Sequence, residues 1–203
     1  METNIPVCFI GLGALGQPMA ANLLAAGVPL TVHNRSPERQ LQLQQAGARV
    51  AISPAAAAAA AQIHALCLTD AAAVEAVLQG PTGLLEGAEP GGLIVDFSTI
   101  DPASTQRLAA AAAEHGLSWL DAPVTGGTEG ARQGTLSVLV GGDAADLERA
   151  RHLLQLVGST ITHLGPLGSG QSAKAVNQVL VAGSYAALAE ALALGHRLGL
   201  PMS

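Results

Sequence analysis

The sequence predicts a doubly wound α/β sheet followed by one long helix. Three observations carry that reading. Short apolar runs alternate with helical segments from residue 7 to residue 164, the pattern of parallel βαβ units with helices on both faces of a sheet. A glycine-rich turn, Gly11-Leu12-Gly13-Ala14-Leu15-Gly16, separates the first strand from the first helix. After Gly165-Pro166-Leu167-Gly168-Ser169-Gly170 the chain becomes a single apolar helical segment.

The elements follow in order. Val7 to Ile10 is a short apolar run that ends at Gly11, as a buried strand does. Leu15 to Ala26 reads as a helix closed by Gly27. Leu30 to His33 is a second strand, and Ser36-Pro37 opens the next helix with a capping hydroxyl and a first-turn proline. The alanine-rich run from Pro54 to Gln62 is a helix by propensity, and Ile63 to Leu68 a strand. Helices are then expected over 71–78, 102–114 and 144–157, and strands over 93–97, 118–121, 135–140 and 160–164. The last helix, about 171–198, carries few charges (Lys174, Glu190, Arg197) and is expected to be buried on most faces. Residues 1–164 are thus expected to form one domain. Residues 165–203 form a linker and a long helix that begins a second, all-helical domain.

Composition excludes several functions. The chain has 203 residues, 49% of them apolar and 12% charged, so it can bury a core without metals or disulfides. A net charge of −6 and the lack of any Lys/Arg cluster exclude a phosphate-backbone footprint, and 2% aromatics leave no base-stacking platform, so no nucleic-acid partner is expected. The two cysteines and six histidines show no metal-ligand spacing, which reads as a metal-free cytoplasmic protein with reduced thiols. Met1-Glu2-Thr3-Asn4 lacks a basic leader pattern. Asn177, Gln178 and Glu190 within the apolar helix argue against a membrane span.

The glycine turn fits G-x-G-x-x-G between a strand and a helix, the dinucleotide-binding context of a Rossmann fold. Gly11 allows the turn, Gly13 lets backbone approach a pyrophosphate, and Gly16 lets helix approach strand; Leu12, Ala14 and Leu15 complete the loop. At the end of the second strand stand Asn34-Arg35-Ser36, where NAD sites carry an acidic residue for the ribose hydroxyl. Without a carboxylate, and with Arg35 able to clamp a phosphate, the cofactor read here is NADP, with NAD possible.

Phe9 to Leu23 resembles the N-terminal signature of the β-hydroxyacid dehydrogenases. These include the 3-hydroxyisobutyrate dehydrogenases, the tartronate semialdehyde reductases and the glyoxylate/succinic semialdehyde reductases. Asp121-Ala122-Pro123-Val124-Thr125-Gly126-Gly127, with Gly130-Ala131 and Gly134-Thr135-Leu136 after it, resembles the family's substrate loop. Gly165 to Gln178 resembles its catalytic motif. Leu15 and Thr125 stand where the family usually has Met and Ser. The resemblance implies hydride transfer between nicotinamide and a small hydroxy or semialdehyde acid. It also implies a second helical domain, of which this chain holds only the start.

Lys174 is the only lysine and sits in an apolar helix, where desolvation moves an amine toward neutral pKa, the useful range for an acid/base. Asn177 and Gln178, three and four residues on, fall on its side of the helix, where they can orient its ammonium or hold substrate. Thr125, Gly126 and Gly127 offer a hydroxyl and free N–H groups to a substrate carboxylate. Thr99, at a strand's carboxyl end, is expected near the nicotinamide by resemblance, and Leu68-Thr69 is expected to line the cofactor through backbone. Asp121 is expected to fix its own loop, and Asp96 to be a structural strand-end residue. The Asn34-Arg35 pair leans toward the glyoxylate/succinic semialdehyde group and Asn177-Gln178 toward the tartronate group. The long helix is expected to mediate homo-oligomers. A dinucleotide-binding module without catalysis is the competing reading.

Overall fold

A computed structural model describes residues 5–201. The expectation about Met1–Asn4 lies outside those residues.

Six parallel strands form the main sheet in the order β3-β2-β1-β4-β5-β6. They are β1 (Val7–Ile10), β2 (Leu30–His33), β3 (Arg49–Val50), β4 (Ile63–Leu66), β5 (Leu93–Asp96) and β6 (Ser118–Asp121). The crossovers are α1 (Gly16–Ala25), α2 (Leu41–Gln45), α3 (Pro54–Ala58), α4 (Ala71–Gln79) and α5 (Pro102–Glu114). Alternating side chains of β1 feed two cores. Val7 and Phe9 pack with Met19 and Leu23 of α1, and Cys8 and Ile10 pack with Val74 of α4 and Leu108 of α5. Apolar runs buried on both faces are what a parallel sheet requires.

The alternation predicted parallel strands throughout, and the structure corrects this. Beyond β6 the chain builds a second sheet, β7 (Val124–Thr125), β8 (Leu136–Val140) and β9 (Gly158–His163), in which β7 and β8 are antiparallel. α6 (Gly127–Gln133) and α7 (Ala144–Val157) belong to this part. An isolated bridge between Asp121 and Gly141 joins the two sheets.

The segment after residue 36 opens differently from the expectation: a 3-10 turn over Pro37–Gln40 precedes α2, and the Ser36 side chain caps nothing. α3 also stops early, at Ala58, because Gln62 must reach the Pro6 carbonyl at 2.9 Å and enter β4. The last helix, α8 (Ser169–Arg197), corrects a larger expectation. Only Gly170, Gln171, Lys174 and Gly195 are buried, while Val179 is 73% and Tyr185 70% exposed. Its most apolar window has a mean hydropathy of 1.4, so by length and composition alone it could cross a membrane.

Candidate functional site

The strand order reverses between β1 and β4, and the glycine turn lies at their carboxyl ends. Ligands of open α/β sheets bind at this switch point. The three glycines serve three different needs. Gly11 has φ +99°, and a Cβ there would lie 2.3 Å from the Cys67 carbonyl oxygen. A Cβ on Gly16 would lie 2.0 Å from the Gly11 oxygen. A Cβ on Gly13 would meet nothing within 4 Å, so only that position keeps space for something outside the fold. The Gly11 N–H is taken by the His33 carbonyl and the Leu12 N–H by Asn34 Oδ1 at 2.9 Å. Among the described residues, the N–H groups of Gly13, Ala14 and Leu15 donate to no protein acceptor. An open cradle with free N–H groups before a helix fits a pyrophosphate.

Asn34 accepts from Leu12 and donates through Nδ2 to the Ser36 carbonyl at 3.0 Å. Its amide braces the glycine turn. Arg35 is exposed beside it. Arg39, which the sequence reading did not single out, reaches back to the Leu12 carbonyl at 3.3 Å. A second guanidinium therefore borders the turn, and its four-residue spacing from Arg35 was the available signal. His33 bonds the Ala51 carbonyl through Nδ1.

Leu68 packs against Gly11, since a Cβ there would lie 2.9 Å from Leu68 Cδ2. Its N–H donates to Ser98 Oγ at 2.9 Å, so that donor is spent inside the protein. Thr69 is exposed and donates to Asp70. Thr99 is exposed after β5, between buried Ser98 and Ile100. Thr125 ends β7, and Gly126 (φ +131°) and Gly127 (φ +65°) turn the chain into α6. Asn22 of α1 donates to the Ala131 carbonyl at 2.9 Å, which holds α6 beside the glycine-turn helix.

Lys174 is 7% exposed, and desolvation lowers its pKa. The four ion pairs among the described residues do not include it. Gln178 is exposed and Asn177 half-buried. Their amides pair with each other at 3.3 Å, and neither bonds Lys174.

Two carboxylates lie beneath this edge, on adjacent strands in register. Asp96 is fully buried, and burial pushes its pKa up to about 7, with Ser98 opposing and the Asp121 charge adding to the rise. Asp121 does not merely fix its own loop. Its Oδ1 accepts from the Gly168 N–H at 2.7 Å and its Oδ2 from the Gln171 N–H at 2.8 Å. Burial raises its pKa while those N–H groups pull it back. Both oxygens are acceptors here, so the ionised form is the one the geometry fits.

Residues 6–165 match the profile of the NAD binding domain of 6-phosphogluconate dehydrogenase. Residues 168–203 match that of the NAD-binding region of NADP-dependent 3-hydroxyisobutyrate dehydrogenase. A solved 3-hydroxyisobutyrate dehydrogenase from Mycobacterium tuberculosis superposes with a TM-score of 0.89 at 37% identity, over 100% of this chain and 68% of that one. The chain belongs to the β-hydroxyacid dehydrogenase family. Within that family it is 42% identical to the 2-(hydroxymethyl)glutarate dehydrogenase of Eubacterium barkeri, covering 98% of this chain and 66% of the relative. It is 45% identical to the NAD-dependent L-serine dehydrogenase of Pseudomonas aeruginosa, covering 96% and 65%. The chain therefore spans just under two thirds of the length of these two family members. Both profiles describe nucleotide binding, so the glycine turn belongs to an NAD(P)-binding fold.

Proposed function

We propose that the chain binds NADP and serves the oxidation or reduction of a small hydroxy or semialdehyde acid. One juxtaposition carries the reading. The open glycine turn and the buried start of α8, with the sole lysine, meet at the same carboxyl edge of the sheet. When bound, the nicotinamide supplies or accepts the hydride. Gly13, Ala14 and Leu15 hold the pyrophosphate through backbone N–H groups. Leu68, Thr69 and Thr99 border the nicotinamide side. Lys174, with its lowered pKa, gives a proton to the oxygen that becomes a hydroxyl in reduction and takes it back in oxidation. Thr125, Gly126 and Gly127 receive the substrate carboxylate, and Asn177 and Gln178 turn toward substrate when it enters.

NADP is favoured over NAD because no carboxylate stands at Asn34, while Arg35 and Arg39 border the place a 2′-phosphate would occupy. The relatives point both ways, since one profile names an NADP-dependent enzyme and the Pseudomonas relative is NAD-dependent. Titration with NADPH and NADH by nicotinamide fluorescence decides. About 2 kcal/mol from the Arg35 contact corresponds to roughly thirtyfold tighter NADPH binding, and Arg35→Ala should bring the two within threefold. Equal affinities in the unmutated chain would remove the NADP preference, and no binding of either would overturn the reading.

A substrate panel of 3-hydroxyisobutyrate, tartronate semialdehyde, succinic semialdehyde, glyoxylate and L-serine fixes the acid. Turnover of any of them rules out a binding module without catalysis. We also propose a nucleotide unit over 1–164 and the start of a helical unit over 165–203, a division supported by where the two profiles meet. The bare apolar surface of α8 supports a homo-oligomer with protein, not lipid, covering it. Two free cysteines suit a cytoplasmic setting.

A further inference from the structure

The local sequence does not cap α8. Gly168 precedes it in the left-handed region and makes no side-chain cap. The cap comes from Asp121, about fifty residues earlier and on another element. Its carboxylate takes the Gly168 and Gln171 N–H groups at 2.7 and 2.8 Å, the N-cap and N3 donors that a capping box would satisfy from within the helix. The room for it is made by glycines. A Cβ on Gly141 would lie 2.5 Å from Asp121 Oδ1, and one on Gly170 would lie 2.8 Å from Oδ2.

Gln171, 1% exposed, adds a second fastening. Its Nε2 donates to the Ser98 carbonyl at 2.7 Å, and its Oε1 accepts from the Ile100 N–H at 3.2 Å. Ser98 in turn accepts the Leu68 N–H through Oγ and donates its own N–H to Asp96 at 2.9 Å. An unbroken series of bonds thus runs from the segment beside the glycine turn to the residue one turn before Lys174. Apart from Leu68, its members are almost wholly enclosed, so each bond lost leaves a buried polar group unpaired.

We propose that Asp121 and Gln171 are positioning residues for Lys174, clamping the first turn of α8 onto the carboxyl edge of the sheet so that the ammonium stays in one place with little water around it. The inference rests on Lys174 being the proton-handling group of the proposed reaction. Neither residue touches the reacting atoms; each acts through the helix that carries the lysine.

A single lysine makes the test clean. In the full chain labelled with 13C-lysine, one side-chain Cε resonance reports Lys174, and its pH titration needs no cofactor. In the unmutated chain the midpoint lies below the ordinary lysine value. In Gln171→Ala, water reaches the loosened turn, and the midpoint should rise by at least about half a pH unit toward that value. NADPH affinity should stay within threefold. Where turnover is measured, kcat should fall about tenfold with KM changed less than threefold.

A residue that only stabilised the fold would lower the thermal midpoint and leave the lysine titration unmoved, and that result in folded Gln171→Ala overturns the proposal. If Gln171→Ala does not fold, Gln171→Glu keeps the acceptor for Ile100 and sets an oxygen against the Ser98 carbonyl, and the same titration is read there. Loss of folding in both would make Gln171 a stability residue and overturn the proposal as well. A chain that binds no dinucleotide yet shows the shift would fail the proposed cofactor and keep the clamp.

Discussion

At the scale of single residues, two glycines of the turn, Gly13 and Gly16, make opposite predictions. Gly13→Ala has open space and an ordinary backbone, so stability should change by less than about 1 kcal/mol. The added methyl occupies the cradle, and NADPH affinity should fall at least about tenfold. Gly16→Ala drives a methyl into the Gly11 oxygen and should cost about 3 kcal/mol or more, or prevent folding. Urea unfolding beside fluorescence titration separates the two effects. Asp96 gives a pH prediction. Its folded pKa, about 7, lies above the ordinary value of 3.8. Its stabilising contribution is therefore full below pH 4 and lost as pH rises through 7. Asp96→Asn should be more stable relative to the unmutated chain at pH 8 than at pH 4, by about 3–4 kcal/mol. Thr82 is the only non-glycine residue with positive φ (61°) among the described residues. β-Branched residues resist that conformation, so Thr82→Asn should gain about 0.5–1 kcal/mol.

At the scale of elements, the helices whose ends were legible are those with local caps. α5 begins after Asp101, which accepts the Ser104 N–H at 2.8 Å, with Pro102 in its first turn. α7 begins after Asp143, which accepts from Ala145 at 2.7 Å. Their ends follow the sequence reading because the signals lie within a few residues. β3 and β7 have two residues each and show no periodicity to read. α8 is the opposite case, since its cap comes from another strand. The two kinds of cap should differ in cost. Asp101→Ala exposes an N–H to water and should cost about 1 kcal/mol. Asp121→Ala strands two buried N–H groups and should cost about 2–4 kcal/mol.

At the scale of the whole molecule, the main feature is the imbalance between a closed sheet and an open helix. Leu180, Leu188, Leu192 and Leu194 all stand exposed on α8. We propose that these exposed apolar side chains form the interface of a homo-oligomer. Light scattering should find the chain associated, and Leu188→Glu with Leu192→Glu should shift it toward monomer with unchanged helix content. A monomeric unmutated chain would rule out that interface for this chain.

The sequence by itself determined the alternation of strands and helices, the glycine turn at Gly11–Gly16 and the lone Lys174. Each is written in neighbouring residues, through periodicity, a required backbone angle or a unique side chain. It did not reveal that Asn34 braces the turn, that Arg39 joins it, or that Asp121 caps α8 from about fifty residues away. Those facts depend on which strand ends the fold brings together. The same holds for the exposure of α8: its apolar composition states that its faces need covering, while burial depends on what the tertiary structure lays against them.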